Sequence, residues 1–215
     1  MLQTPVPEGL YSFMMLKWQG AAFSLSIIVL AAIIAVSSIS TPYSNALGLV
    51  VRLSALYGYL MLSIAAIMTS FVREVTKMLS SPFIKVHHFF AVLGIIFITV
   101  HPVAYALETM DMTVFLPSFE SWHLFWSYAG KPAFLILYVA VMAALLRRRI
   151  YQYWRLLHAL MNIVLLLGIV HANLIGTDLR TTAINAIFNI LFGASAVAFV
   201  LRRLQQHRTR KMRRH

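Results

Sequence analysis

Four histidines lie inside two long apolar segments of this 215-residue chain, His87 and His101 in the first, His158 and His171 in the second. An ionisable side chain in hydrocarbon is costly and marks a position facing a bundle interior. Two facing pairs at matching depths could clamp two iron porphyrins through neutral imidazole nitrogens, a common axial ligation. His87 and His101 are 14 residues apart, which at about 100° per residue falls about 40° short of four turns, so both point to nearly one face. His158 and His171 are 13 apart, about 140° short of four turns, and that pair needs a tightened or bent helix, for which Gly168 is the candidate site. His88 has the same 13-residue relation to His101 and ranks below His87 as its substitute.

The segments that must position these residues are membrane helices. At 60% hydrophobic and 11% charged, with a mean hydropathy of +0.80, the chain has too few polar residues for a water-facing surface. Its apolar runs approach the roughly 20 residues needed to span a bilayer. Cutting at the charges predicts an all-α, six-helix polytopic bundle with spans near 18–39, 46–71, 86–107, 126–146, 154–175 and 181–201. The chain divides into an N-terminal cytoplasmic segment 1–17, the bundle 18–201 and a basic tail 202–215. The fourth span is the weakest, because Lys131-Pro132 interrupts it. There is no cysteine, which excludes disulfides, thiolate metal sites and thioether-attached heme.

Basic residues orient the bundle, since positive charge stays on the cytoplasmic side. With both termini inside, only Arg52, Lys131 and Arg180 fall on the other side, together with Glu108, Asp111, Glu120 and Asp178. The net charge of +12 is therefore a topology signature and not a nucleic-acid one. The tail from Arg202 to Arg214 reads as a solvated stop-transfer segment before it reads as a site for anionic lipid. This orientation levels His87 with His158 near the cytoplasmic edge and His101 with His171 near the outer edge, about 20 Å apart along the helices.

The strings His87-His88-Phe89-Phe90 through Val100-His101-Pro102-Val103-Ala104-Tyr105, and Trp154-Arg155-Leu156-Leu157-His158 through Ile169-Val170-His171, resemble the ferric reductase-like transmembrane domain. That superfamily includes NADPH oxidases, ferric-chelate reductases and the bacterial MsrQ (YedZ) membrane subunit. The resemblance covers roughly spans two to six and implies b-type heme between spans three and five. Ferric reductases and NADPH oxidases continue into flavin and nicotinamide domains, whereas this chain reaches His215 without a Gly-x-Gly-x-x-Gly fingerprint. In this it is similar to MsrQ, a stand-alone cytochrome, which however carries a non-histidine residue at the place of His87. A histidine there favours two hemes over one.

These readings lead to a cytochrome moving electrons from a separate cytoplasmic flavin reductase or quinol to an extracytoplasmic redox partner, in a cytoplasmic membrane. FMN or quinone binding stays open. Arg52 in the outer part of span two could neutralise a heme propionate, and snorkelling to the interface is an equally good account. The bland readings are weighed beside these. A lone intramembrane histidine is more often a helix-to-helix hydrogen bonder. His123, beside Trp122 and Trp126, suits an interfacial aromatic belt, and His207 and His215 belong to the tail. Met14, Met15, Met110 and Met112 suit interface filling. Asn185 and Asn189 suit interhelical hydrogen bonding, and Tyr57, Gly58, Tyr59 and Met61 a packing face. A heme-free transporter or proton relay is the alternative function, weakened by the absence of carboxylates inside the expected spans, and a purely structural respiratory subunit is a third. Colour separates the first reading from both others.

Overall fold

The computed structural model describes residues 8–43 and 45–212, which are helical with no strand among them. Side chains are described for 17–43, 45–208 and Met212. Residues 1–7 of the expected N-terminal segment and Arg213, Arg214 and His215 of the tail lie outside the described residues, as do the side chains of Met14 and Met15. The helices are α1 (Glu8–Ser40), α2 (Ala46–Met68), α3 (Val72–Leu79), α4 (Phe83–Thr109), α5 (Trp122–Ser127), α6 (Gly130–Leu145), α7 (Trp154–His158), α8 (Met161–Ile175) and α9 (Thr182–Met212).

Five of the described segments are long and apolar enough to cross a membrane: 17–40, 46–68, 83–109, 154–175 and 182–208. The protein is a multi-pass membrane protein. The expected fourth span differs in form, because α6 has only 16 residues, about 24 Å of helix, short of the roughly 20 residues of a full crossing. Its N-terminal portion is set off as α5, joined to α6 through Tyr128 and Ala129. Hydrogen bonds from Ala129 N to Trp126 O (3.2 Å), Lys131 N to Tyr128 O (2.9 Å) and Ala133 N to Ala129 O (3.1 Å) carry the chain through that joint. The break arises where Lys131-Pro132 interrupts the apolar run, since proline has no N–H to continue the ladder.

The boundary of the second span differs from the sequence reading, and the start of the tail gains a definite structure. The second helix ends at Met68, and α3 follows as a separate amphipathic helix capped by Ser80 in the left-handed region at φ 49°. The basic tail begins as a continuation of the last helix: α9 runs unbroken to Met212, because residues 202–212 contain no glycine or proline and are rich in Arg and Gln, both good helix formers.

Helix α2 is the axis of the bundle. It is the most enclosed of the crossing segments and packs against α1, α4, α8 and α9, with its longest seam along α4. Asn45 caps its start by accepting from Gly48 N at 2.8 Å, satisfying an orphan donor. The seam with α4 is close because each helix presents a glycine to it, Gly58 against Ile98 and Gly94 against Leu62. A Cβ on Gly58 would lie 2.7 Å from Ile98 Cγ1 and 2.9 Å from its backbone N, and a Cβ on Gly94 would lie 2.7 Å from Leu62 Cδ2. Small residues let membrane helices approach backbone to backbone where lipid supplies no hydrophobic drive.

The N-terminal part of α1 and the C-terminal part of α9 share one end of the bundle. Gly20 of α1 touches the Met78 carbonyl of α3, and Ser70, just after α2, donates its hydroxyl to Ala198 O of α9. That end carries most of the lysines and arginines; the loops at the other end carry Glu108, Asp111, Glu120 and Asp178. Between α8 and α9, Asn173, Asn185 and Asn189 form a closed clasp: Asn185 Nδ2 donates to Asn173 Oδ1 (2.9 Å), and Asn189 Nδ2 to Asn173 Oδ1 (3.2 Å) and Asn185 Oδ1 (3.2 Å). This matches the interhelical role read from the sequence.

Candidate functional site

Helix α4 carries His87 and His101, while α7 carries His158 and α8 carries His171; α4 and α8 do not seal against each other. Helix α2 packs on both, and His101 and His171 line one cavity of about 1030 Å³ that Val51, Tyr59 and Phe188 also border. Such a volume is at the top of the range of about 300–1,000 Å³ for ligand and cofactor sites. Glycines keep its wall thin: a Cβ on Gly130 would stand 2.9 Å from the His171 ring, and one on Gly168 would stand 3.3 Å from Tyr59.

Each histidine engages a backbone carbonyl of a neighbouring helix through Nδ1. His87 Nδ1 is 3.2 Å from Ala65 O and His101 Nδ1 is 2.9 Å from Val51 O, both on α2. His171 Nδ1 is 2.7 Å from Ser127 O at the end of α5, and His158 Nδ1 is 3.4 Å from Ala140 O on α6, the longest of the four. A carbonyl can only accept, so a neutral imidazole in this position carries its proton on Nδ1. The Nε2 lone pair is then left as the ligating atom. Metal-bound histidines are commonly oriented in this way, by donating their other ring N–H to a carbonyl or carboxylate.

The partner carbonyls repeat the histidine spacing. Val51 and Ala65 are 14 residues apart, as are His87 and His101; Ser127 and Ala140 are 13 apart, as are His158 and His171. Helix α4 therefore lies in antiparallel register beside α2, which serves both of its histidines, while α7 and α8 run antiparallel to α5 and α6, with Ser127 of α5 serving His171 and Ala140 of α6 serving His158. Gly58 and Gly94 stand at the midpoint of the first register, seven residues from each member.

The second pair needed a distortion, and the structure contains one. The helix of the fifth span is interrupted at Ala159 and Leu160, where the bonding shortens to three-residue steps: Ala159 N to Leu156 O (3.1 Å), Leu160 N to Leu157 O (3.0 Å), Asn162 N to Ala159 O (3.1 Å) and Ile163 N to Leu160 O (2.9 Å). Each residue wound at three per turn advances about 20° more than in an α-helix, so half a dozen recover much of the 140° shortfall. The tightening sits at 157–163 and not at Gly168.

His87 and His158 lie together at the basic end, ring centroids 6.5 Å apart at 77°. Two imidazoles bound through Nε2 to one metal at about 2 Å would have centroids on the order of 6 Å apart. His88 is exposed, whereas His87 is half-buried, which favours His87 as the inward residue. Among the described residues no group of three or more His, Asp or Glu gathers as for a metal held by protein alone. The arrangement is two pairs, which suits an ion whose remaining positions come from a macrocycle. Two ring donors per layer and the cavity beside His101 and His171 fit a porphyrin.

Residues 54–169 match the family described as ferric reductase like transmembrane component. The chain belongs to this family. The match takes in three of the four histidines, α5, α6 and α2 from Ser54 onward, and leaves out Val51 at one end and His171 at the other. No curated protein and no solved structure matches the chain.

Arg52 lines the same cavity, with a role that sequence did not reveal. Its Nε donates to Asp178 Oδ2 (2.8 Å) and its Nη2 to Asp178 Oδ1 (2.5 Å) and Ser38 O (3.1 Å), while Nη1 donates to Thr41 O (3.2 Å) and Pro42 O (3.1 Å). All five N–H donors are thereby used. Arg52 cannot donate to a porphyrin acid without breaking one of these bonds, nor does it snorkel to water. Asp178 is 4% exposed and also accepts from Ser38 Oγ at 3.2 Å. The staple closes the acidic end by tying α1 and α2 to the turn before α9. No short motif could show a pair 126 residues apart.

The remaining residues take bland roles. Tyr57 donates to Ala31 O (2.9 Å) and Tyr59 to Leu165 O (3.2 Å), so both hydroxyls expected to need partners have them. Met61 is in the core, while Met110 and Met112 are exposed and hold no site. His123 is exposed within a cluster of Trp122, Phe125 and Trp126, as an interfacial belt requires, and His207 is exposed on α9. Over the cavity mouth, Asp111 accepts from Thr113 N and Oγ1, both at 2.8 Å. Those bonds, the backbone one first, hold its carboxyl below the usual range.

Proposed function

We propose that this protein is a membrane b-type cytochrome with two heme layers, a one-electron carrier in a cytoplasmic membrane. His87 and His158 would hold the inner heme and His101 and His171 the outer one, about 20 Å apart along the helices. The reading adds α5 and α6 as the fourth of six crossings and sets the basic end in the cytoplasm, as the charge asymmetry favours.

The observation that carries it is the set of four Nδ1-to-carbonyl bonds, which turn four Nε2 atoms into free donors in two layers. Bound there, iron porphyrins supply reversible one-electron chemistry. The chain's own residues do the rest. The carbonyls of α2, α5 and α6 fix ring orientation, and the apolar flanks of α2, α4 and α8 exclude water. Two imidazoles per layer would leave no open iron position, which favours outer-sphere transfer over chemistry on a small molecule. The donor is then a cytoplasmic flavin reductase or a quinol, and the acceptor an extracytoplasmic redox partner. FMN or quinone binding within the bundle has no residue constellation of its own here.

The deciding experiment is heme stoichiometry on purified protein, by pyridine hemochrome with a dithionite-reduced minus oxidised spectrum. Two b-type hemes per chain are expected. One heme would remove a layer, and a folded, colourless preparation would overturn the reading in favour of a transporter or structural subunit.

A further inference from the structure

Arg202 was expected to belong to a solvated tail, but it is half-buried on α9, within electrostatic reach of both His87 and His158. It has no hydrogen-bond or ion-pair partner among the described residues. Its neighbours worsen its position: Arg155 and Arg203 are close enough to repel it. Arg203 is occupied elsewhere, its guanidinium 5.1 Å over the Phe199 ring. Arg155 lies 5.6 Å over Trp154, whose ring is 6.3 Å from that of His158, so its charge is held at the edge of the histidine layer. The nearest acidic side chain on the connecting helix α3, Glu74, is exposed.

A half-removed guanidinium facing like charges, with no acidic partner among the described residues, is unfavourable by itself, because desolvation is offset only by a partner. Its planar fork of donors matches a carboxylate or phosphate in two parallel bonds. We propose that Arg202, with Arg155 beside it, is the anion site of the inner histidine layer and takes the carboxylates of the porphyrin that His87 and His158 hold. This rests on the function proposed above. It also divides the labour between the two ends. At the acidic end Arg52 has its own internal carboxylate in Asp178, whereas at the basic end the missing carboxylate comes with the ligand. A cation beside the iron favours the reduced, more negative state, so Arg202 raises the potential of the inner heme.

The test uses full-length protein in detergent, with Arg202→Gln, Arg202→Lys, Arg155→Gln and the exposed control Arg208→Gln. Heme per chain, midpoint potentials by optical titration and bound phospholipid by native mass spectrometry are read for each. The inner heme is assigned as the one lost in His87→Leu. R202Q is expected to lower the reduced-to-oxidised ratio of that heme about tenfold at fixed ambient potential, about 59 mV for one electron, or to release it. R202K keeps the potential, and R155Q moves it the same way by less. If R202Q does not fold, R155Q with an unshifted inner heme overturns the proposal. Loss of an anionic phospholipid from R202Q with both midpoints unchanged also overturns it and assigns the site to a headgroup phosphate. Wild-type protein without heme defeats the function itself, whereas two hemes with unshifted variants defeats only this inference.

Discussion

Gly58 of α2 and Gly94 of α4 both stand midway between the two histidine layers, each seven residues from the carbonyl or histidine above it and below it. The backbones of α2 and α4 come close there, with Gly58 against Ile98 and Gly94 against Leu62. One tight crossing at the centre allows His87 to reach Ala65 at one end and His101 to reach Val51 at the other. Gly58→Ala is therefore expected to act on both layers together. An added Cβ would stand 2.7 Å from Ile98, an overpacking typically costing about 1–3 kcal/mol. Thermal unfolding should fall, and both hemes should be held less tightly in a heme-loss assay. Loss confined to one layer would refute the shared crossing.

His101→Leu is expected to abolish the outer heme while the inner one persists, and His171→Leu should give the same spectrum. Hemochrome values of one per chain in both variants are the expected result. Two per chain in either one would sink the pairing.

His88→Leu should leave heme content and both midpoints as in the wild type, because its ring is exposed to the surroundings of the bundle. His87→Leu should remove one heme. A reversed pattern would make His88 the ligand.

Asp178→Asn removes the counter-ion of a guanidinium whose side chain is only 12% exposed. Breaking one partner of a buried pair costs about 3–5 kcal/mol, more than replacing both by apolar groups. The single variant should therefore melt well below the double variant Arg52→Met/Asp178→Leu in a thermal unfolding series. Equal melting temperatures would mean that the pair contributes little to closing the acidic end.

Asn173→Leu opens the clasp between α8 and α9 and strands two amides. Interhelical hydrogen bonds in membranes are worth about 0.6 kcal/mol on average, up to about 1.7. A small fall in thermal stability is expected with heme content unchanged; loss of the outer heme would show that the clasp also sets the depth of His171.

The sequence by itself determined the membrane class, the helical fold, the family and the four histidines. Apolar runs and ionisable residues within them are chemical contrasts visible along one dimension. It also exposed the angular misfit of His158 and His171, although the place where the helix tightens, at 157–163, depended on packing. Tertiary structure alone decided the rest. The carbonyls of Val51, Ala65, Ser127 and Ala140 have no signature because every residue offers one, and only the antiparallel registers select these four. Arg52 meets Asp178 across 126 residues, and Arg202 is half-buried among arginines that look uniform in the chain, where Arg203 and Arg208 are exposed. Which charge is solvated, which is paired and which is half-buried without a partner among the described residues is set by folding, and burial belongs to the folded bundle.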